Sequence, residues 1–180
     1  ILSMKTQVWA HRGASAYAPE NTLEAFRLAA EMGADGVELD VQLSRDGELV
    51  VAHDETIDRV SNGTGYIKDY TLAQLKKLSF NRLFPKFKDA RIPTLKEVYE
   101  LLKPAGLTVN VELKTGIILY PEIEEKVLAL TASMGMEDRV IYSSFCHPSL
   151  VRLKELDSGL KTGLLYSDGW IGAADYGRHT

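Results

Sequence analysis

The fold is decided by the stretch GVELDVQLS, residues 36–44. Side chains alternate along a strand, so its apolar residues share one face while Glu38, Asp40 and Gln42 share the other. A half-buried strand normally turns its charged face to water. Polar residues in the neighbouring strands indicate instead that these carboxylates point inward, which makes Glu38 and Asp40 candidate metal ligands.

Apolar and amphipathic segments alternate along the chain, as is typical of α/β proteins with a parallel sheet. The predicted strands span residues 7–11, 36–43, 48–53, 108–113, 139–144 and 161–166. The predicted helices span residues 22–32, 71–78, 94–102, 121–134 and 149–156. Asn21 and Glu24 predict a capping box at the first helix, and Gly33 predicts its C-terminal stop.

Two places interrupt this alternation. The dipeptide Asp-Gly at 46–47 is a hairpin signal, so the second and third strands are expected to pair antiparallel. A two-residue loop would place Asp40 opposite His53. Residues 61–91 are rich in Gly, Lys and aromatic residues and are expected to form an excursion over one end of the sheet.

The composition is that of one globular domain over residues 1–180, with 45% hydrophobic and 26% charged residues. The net charge of −4 argues against a nucleic-acid partner or an anionic membrane surface. No apolar run is long enough to predict a transmembrane segment. Cys146 is the only cysteine, which excludes an internal disulfide and fits a cytoplasmic protein.

Polar side chains gather at the carboxyl ends of four predicted strands, which is where a (β/α)8 barrel places its active site. They are His11 and Arg12 after the first strand, Glu38 and Asp40 in the second, His53 and Asp54 after the third, and Asn110, Glu112 and Lys114 on one face of the fourth.

Three of these residues, Glu38, Asp40 and Glu112, are carboxylates, and hard oxygen ligands favour Mg²⁺, Ca²⁺ or Mn²⁺ over zinc. Packed together, the negative charges would repel one another, and a divalent cation removes that conflict. The alternative is a salt-bridge network with Arg12 and Lys114. For three carboxylates on successive strand faces, the metal is the favoured interpretation.

His11 and His53 can act as a general acid and a general base, because imidazole titrates near neutral pH. Two such groups suit a displacement at phosphorus, and Arg12 and Lys114 can hold a phosphate. The alternative is that the histidines are structural and that the cations only pair with the carboxylates.

Together, three runs resemble the glycerophosphodiester phosphodiesterase family. They are AHRGASAYAPENTLEAF at 10–26, GVELDVQLSRDGELVVAHD at 36–54 and VNVELK at 109–114. The resemblance extends from about Val8 to the C-terminus and includes IPTLKEVYELL at 92–102. It implies a TIM-type (β/α)8 barrel and metal-dependent hydrolysis of glycerophosphodiesters to glycerol 3-phosphate and an alcohol.

The resemblance also implies roles for single residues. His11 and His53 match the catalytic histidines of the family. The implied metal ligands are Glu38, Asp40 and Glu112, and the implied substrate-binding residues are Arg12, Lys114, Glu20 and Phe145. In the implied mechanism one histidine deprotonates the glycerol 2-hydroxyl, which attacks phosphorus to form a cyclic phosphate, and the other protonates the departing alcohol. The order of the histidines, the metal and the head group stay open.

Length is the main departure from the family pattern, because such a barrel usually has about 250 residues. The family's last two strands, including a Trp-containing one, have no counterpart after Thr180. We therefore expect a barrel without its last strands, either in a truncated chain or in one that a partner segment completes.

Several alternatives to the phosphodiesterase remain. The chain could be a non-catalytic binder of phospholipid metabolites or an inactive fragment, or it could have lysophospholipase D-like activity. A barrel glycosidase using Glu38 and Asp40 is disfavoured, because both lie on one strand face and a glycosidase pair must flank a bond. The expected partner is a small-molecule glycerophosphodiester, and the sequence leaves a homo-oligomer open.

Overall fold

The computed structural model describes residues 6–169 and 171–179. Its strands are β1 Trp9–His11, β2 Gly36–Leu43, β3 Leu49–Val51, β4 Thr108–Leu113, β5 Val140–Ser144 and β6 Thr162–Leu164. Its α-helices are α1 Leu23–Glu31, α2 Leu72–Leu75, α3 Leu95–Leu102, α4 Ile123–Ser133, α5 His147–Leu156 and α6 Ala173–His179. Short 3₁₀ helices span Ile67–Asp69 and Glu137–Arg139. The predicted α/β class is confirmed, and β2 and β4 have the predicted bounds.

The strands form one sheet in the order β1-β2-β4-β5-β6, in which all neighbours are parallel. β3 pairs antiparallel with β2, as the hairpin signal predicted. Within the described part of the chain, β1 and β6 are the two ends of this order. No helix among the described residues has both the length and the apolar composition needed to cross a membrane.

The register of the sheet aligns polar residues of neighbouring strands in rows. Glu38 is paired with His11 of β1 on one side and with Asn110 of β4 on the other. Asp40 is paired with Glu112 of β4. Paired residues of neighbouring parallel strands point to the same face, so the carboxylates of β2 and β4 share one face of the sheet.

The opposite face of β2 builds the main hydrophobic core, because Val37, Leu39 and Val41 are fully buried. They share this core with side chains of β3, β4 and β5 and of the four helices α1, α3, α4 and α5. These include Val109 and Val111 from β4, Phe26 from α1, Val98 and Leu102 from α3, and Ile123 and Val127 from α4. Asp40 and Gln42 are buried as well, so β2 is covered on both faces, as a central strand of a parallel sheet should be.

The turn between β2 and β3 holds three residues rather than two. The backbone N–H of Ser44 donates to the carbonyl of Glu48 across it, at 3.0 Å. The last loop residue, Gly47, has a φ of 78°, the left-handed conformation typical of a three-residue hairpin loop. The extra residue shifts the ladder by one position. The predicted pairing of Asp40 with His53 was therefore wrong, because Asp40 lies opposite the residue just before His53.

The start of α1 also differs from the prediction. Thr22 is the N-cap, and its side chain accepts a hydrogen bond from the third residue of the helix. The side chain of Asn21 is buried and donates to Asp40 Oδ2 at 2.9 Å, so it is not available for capping. The predicted Asn21–Glu24 capping box was therefore wrong. The predicted stop at Gly33 is confirmed, because this residue has a φ of 80° just after the helix.

The predicted excursion contains α2 and one 3₁₀ helix, and it packs into a second apolar cluster together with residues that flank it. Its members are Val50, Ala52, Ile57, Ile67, Leu75, Phe80 and Ile92. Because Val50 and Ala52 belong to β3 and the segment just after it, this cluster anchors the chain on both sides of His53.

The first prediction concerns the capping box of α3. Thr94 Oγ1 accepts from Glu97 N at 3.2 Å, and Glu97 Oε2 accepts from Thr94 N at 2.7 Å. Thr94→Ala removes the first of these bonds, and we expect it to lower the free energy of unfolding by about 1 kcal/mol. Urea denaturation measures this loss. Thr71→Ala, at the similar box of the four-residue helix α2, should have the smaller effect, and the reverse order would contradict the prediction.

Candidate functional site

Three carboxylates form the centre of the site. Glu38, Asp40 and Glu112 each offer one oxygen, and these atoms all lie within 4.8 Å of one another. Asp40 is 1% exposed and Glu112 8% exposed, so the cluster is largely withdrawn from water. The structure therefore brings together the three residues that the sequence predicted as metal ligands.

The electrostatics of the cluster are unfavourable without a counter-ion. Burial, followed by the charges of Asp40 and Glu112, raises the pKa of Glu38 to about 8. Burial and the charge of Asp40 also raise the pKa of Glu112, although Lys114 opposes this shift. Without a cation, the cluster therefore favours the protonated form of Glu38.

The donor set fits a hard divalent cation. All three side chains offer carboxylate oxygens, which Mg²⁺, Ca²⁺ and Mn²⁺ prefer. Oδ1 of Asp40 is buried and accepts no hydrogen bond from any residue that the structure describes. A buried carboxylate oxygen without a donor is unfavourable unless it is paired with a charge. The cluster can therefore bind a divalent cation.

The two predicted histidines have different surroundings. His11 Nε2 lies 3.7 Å from Glu38 Oε2, and its side chain is 67% exposed. Desolvation and then the charge of Arg12 lower the pKa of His11. His53 is less exposed, and its Nδ1 lies 2.7 Å from Asp54 Oδ1. This contact fixes the orientation of the His53 ring.

Arg12 reaches the cluster from the turn after β1. Its backbone N–H donates to the carbonyl of Glu38 at 2.9 Å, and its own φ is 58°. Gly13 follows with a φ of 79°, and a Cβ there would lie 2.7 Å from the backbone of Ala25. In this conformation the Arg12 guanidinium lies beside Asp40, with Nε 3.6 Å from Oδ2. It also donates to Glu20 Oε1 at 3.1 Å.

The other predicted substrate contacts lie at the same edge of the sheet. Lys114 Nζ is 3.4 Å from Glu112 Oε1, so the second predicted cation also flanks the cluster. Phe145 directly follows β5 and is 53% exposed. The row of polar groups continues in β5, where Ser143 Oγ donates to Asn110 Oδ1 at 2.9 Å.

Comparisons with known proteins identify the family of the chain. Residues 11–175 match the model of the glycerophosphoryl diester phosphodiesterase family. The chain belongs to this family. Members with that name are phosphoric diester hydrolases, and a relative named glycerophosphodiester phosphodiesterase, from Caldanaerobacter subterraneus subsp. tengcongensis, is 54% identical over 93% of this chain and 70% of its own length.

Solved structures support the same assignment. A glycerophosphodiester phosphodiesterase from Agrobacterium tumefaciens superposes with a TM-score of 0.80 and 37% identity, over 88% of this chain and 66% of that one. A phosphodiesterase from Oleispira antarctica, solved with the product sn-glycerol-3-phosphate, gives a TM-score of 0.84 and 33% identity, over 98% and 72%. The predicted TIM-type barrel class is thereby confirmed, and the chain spans 66% to 72% of the lengths of these three proteins.

Sequence reasoning missed part of this family site. Asn21 was assigned to a helix cap, whereas it donates to Asp40. Strand alternation placed Gln42 on the face of Glu38 and Asp40, but it did not predict the contacts of the Gln42 side chain. Its Nε2 lies within 3.2 Å of the carbonyl oxygens of residues 52–54. No pattern in the sequence pointed to Arg59, because a hydrogen-bonding partner of its side chain lies 39 residues away along the chain.

The second prediction concerns the pH dependence of cation binding. Without a cation the folded protein holds the Glu38 proton up to a pKa of about 8, against an ordinary value of 4.5. The contribution of this group to stability therefore falls as the pH rises from about 4.5 to about 8. Because Mg²⁺ or Mn²⁺ must displace that proton, we expect tighter binding and a larger increase in Tm at pH 8 than at pH 5.

Calorimetric titration and thermal unfolding, each with a chelator control, measure this effect. Glu38→Gln should lose most of the cation-dependent increase in Tm. The matched control is Glu125→Gln, which removes an exposed carboxylate held by Arg152 and should keep that increase. Equal increases in the two variants would contradict binding at the cluster.

Proposed function

We propose that this chain hydrolyses glycerophosphodiesters to glycerol 3-phosphate and an alcohol. The observation that carries the proposal is the carboxylate cluster with His11, Arg12 and Lys114 at its edge, in a chain of the phosphodiesterase family. The product complex of the Oleispira antarctica relative supports the substrate class, since that protein binds glycerol 3-phosphate.

Glu38, Asp40 and Glu112 are the proposed ligands of a divalent cation. When bound, such a cation supplies Lewis-acid polarisation of a phosphoryl oxygen. The three carboxylates would hold it on the polar face that β2 and β4 share. Arg12 and Lys114 lie beside the cluster and orient the phosphate, the first through its planar fork and the second as a point charge.

His11 and His53 are the proposed acid and base. One imidazole takes the proton of the glycerol 2-hydroxyl as that oxygen attacks phosphorus, and a cyclic phosphate forms. The other imidazolium gives its proton to the departing alcohol oxygen. Water then opens the cyclic phosphate to glycerol 3-phosphate with the roles reversed, so both histidines recover their starting protonation states.

The third prediction tests the activity itself. Incubation with glycerophosphocholine and Mg²⁺ or Mn²⁺ should release glycerol 3-phosphate, and a chelator should abolish the release. The enzyme-coupled detection of glycerol 3-phosphate measures this rate. A panel with other head groups and lysophosphatidylcholine separates diester hydrolysis from lysophospholipase D-like activity. Binding of glycerophosphocholine without turnover on any substrate would favour the non-catalytic alternative.

The fourth prediction assigns the two histidines. His11→Ala and His53→Ala should each lower kcat on glycerophosphocholine by about 10²- to 10⁴-fold, as loss of a general acid or base does. On a glycerophosphodiester with a p-nitrophenyl leaving group, protonation of the leaving oxygen is dispensable. The variant that lacks the acid should recover there, and the variant that lacks the base should not. Equal behaviour of both variants on both substrates would contradict the acid/base assignment.

A further inference from the structure

We propose that Arg59 is a positioning residue of this site, which clamps Glu20 and Asp54 and thereby holds Arg12 and His53 in their working orientations. The inference rests on the proposed function for its kinetic consequence. Its structural part, the orientation of His53, stands independently of turnover.

The clamp is a guanidinium held between two carboxylates. Arg59 donates to Asp54 from Nε at 2.7 Å and from Nη2 at 3.2 Å. It donates to Glu20 from Nη1 at 2.8 Å and from Nη2 at 2.7 Å. Both carboxylates are therefore bound in a bidentate manner, which a planar guanidinium allows and an ammonium does not.

Each clamped carboxylate makes a second contact toward the site. Asp54 Oδ1 lies 2.7 Å from His53 Nδ1, and Glu20 Oε1 accepts from Arg12 Nη1 at 3.1 Å. Arg59 therefore links the chain after β3, which carries the proposed acid or base, with the chain after β1, which carries the proposed phosphate ligand. These two segments are far apart in sequence, and the guanidinium joins them through side chains alone.

A direct role in substrate binding does not fit Arg59. Its four hydrogen bonds to carboxylates use four of the five N–H groups of a guanidinium. A substrate phosphate would have to displace Glu20 or Asp54 to reach it. By comparison, the Arg12 guanidinium donates one hydrogen bond, to Glu20, among the residues that the structure describes, and it lies beside Asp40.

The chemical consequence concerns the His53 ring. An ionised Asp54 accepts the Nδ1–H of His53, and the Nε2 atom then carries the lone pair that exchanges protons with substrate. Arg59 keeps Asp54 oriented: burial alone would raise the pKa of Asp54, but the hydrogen bonds from Arg59 and His53 lower it. Without the guanidinium, Asp54 is free to rotate and the two ring tautomers become closer in energy.

The kinetic test compares two arginines that each bridge two carboxylates. Arg59→Met should lower kcat by about 10- to 100-fold, as loss of supporting residues around a site does, with a much smaller change in KM. Arg59→Lys should recover only part of the loss. The matched control is Arg152→Met, because Arg152 also bridges two carboxylates, Glu125 and Glu155, and lies on the exposed surface of α5. This control should leave kcat unchanged.

A double-mutant cycle separates positioning from general destabilisation. Because Arg59 acts on His53 through Asp54 but on Arg12 through Glu20, the loss of kcat in the double variant Arg59→Met/Asp54→Asn should be clearly smaller than the product of the two single losses. Multiplicative losses would overturn the proposal, since they would mean that the two residues act independently.

The ring tautomer is measured without substrate, by ¹⁵N NMR of the histidine side chains with His53→Gln as the assignment control. We expect a protonated Nδ1 and an unprotonated Nε2 for His53, and a shift toward a mixture in Arg59→Met and Asp54→Asn. An unchanged His53 spectrum in both variants would overturn the proposal. Absence of turnover in every variant, with the expected spectra, would contradict the proposed function and leave the clamp supported.

Discussion

The rest of the site depends on the close approach of three carboxylates across the β2–β4 pairing. The ladder places Asp40 beside Glu112, and strand alternation places Glu38 on the same face. The main-chain hydrogen bonds hold these side chains together although their charges repel one another. Burial, followed by this repulsion, raises the pKa of Glu38. The surroundings must therefore supply positive charge, which explains why cationic side chains flank the cluster.

The loop between β1 and α1 supplies part of this positive charge. Two of its residues have an uncommon backbone conformation. Arg12 and Asn21 both have left-handed conformations, with φ of 58° and 56°, and Asn21 N donates to the carbonyl of Arg12 at 3.0 Å. Such conformations cost about 1–3 kcal/mol each in residues other than glycine. Both side chains reach Asp40 from this loop, so the local strain accompanies the contacts that stabilise the buried carboxylate.

The sequence predicted the parts of the structure that depend on local periodicity. The bounds of β2 and β4 and the convergence of Glu38, Asp40 and Glu112 follow from alternation and from parallel pairing. The register of β3 was missed because it depends on whether the loop has two or three residues, which the Asp-Gly signal does not determine. The role of Asn21 was missed because capping and an inward hydrogen bond compete for one side chain, and only the packed structure decides between them.

The residues that were predicted and those that were missed differ in what determines the orientation of their side chains. The orientation of a strand side chain such as Asp40 is set by the backbone hydrogen bonds of the sheet. His53 lies beyond the end of β3, and its direction depends on other side chains. Gln42 contacts the backbone carbonyls of the segment that carries His53, and Asp54 contacts its ring. The carboxylate cluster and His11 are therefore encoded in strand periodicity and pairing, whereas the orientation of His53 is encoded in side-chain contacts between distant segments, among them those of Arg59.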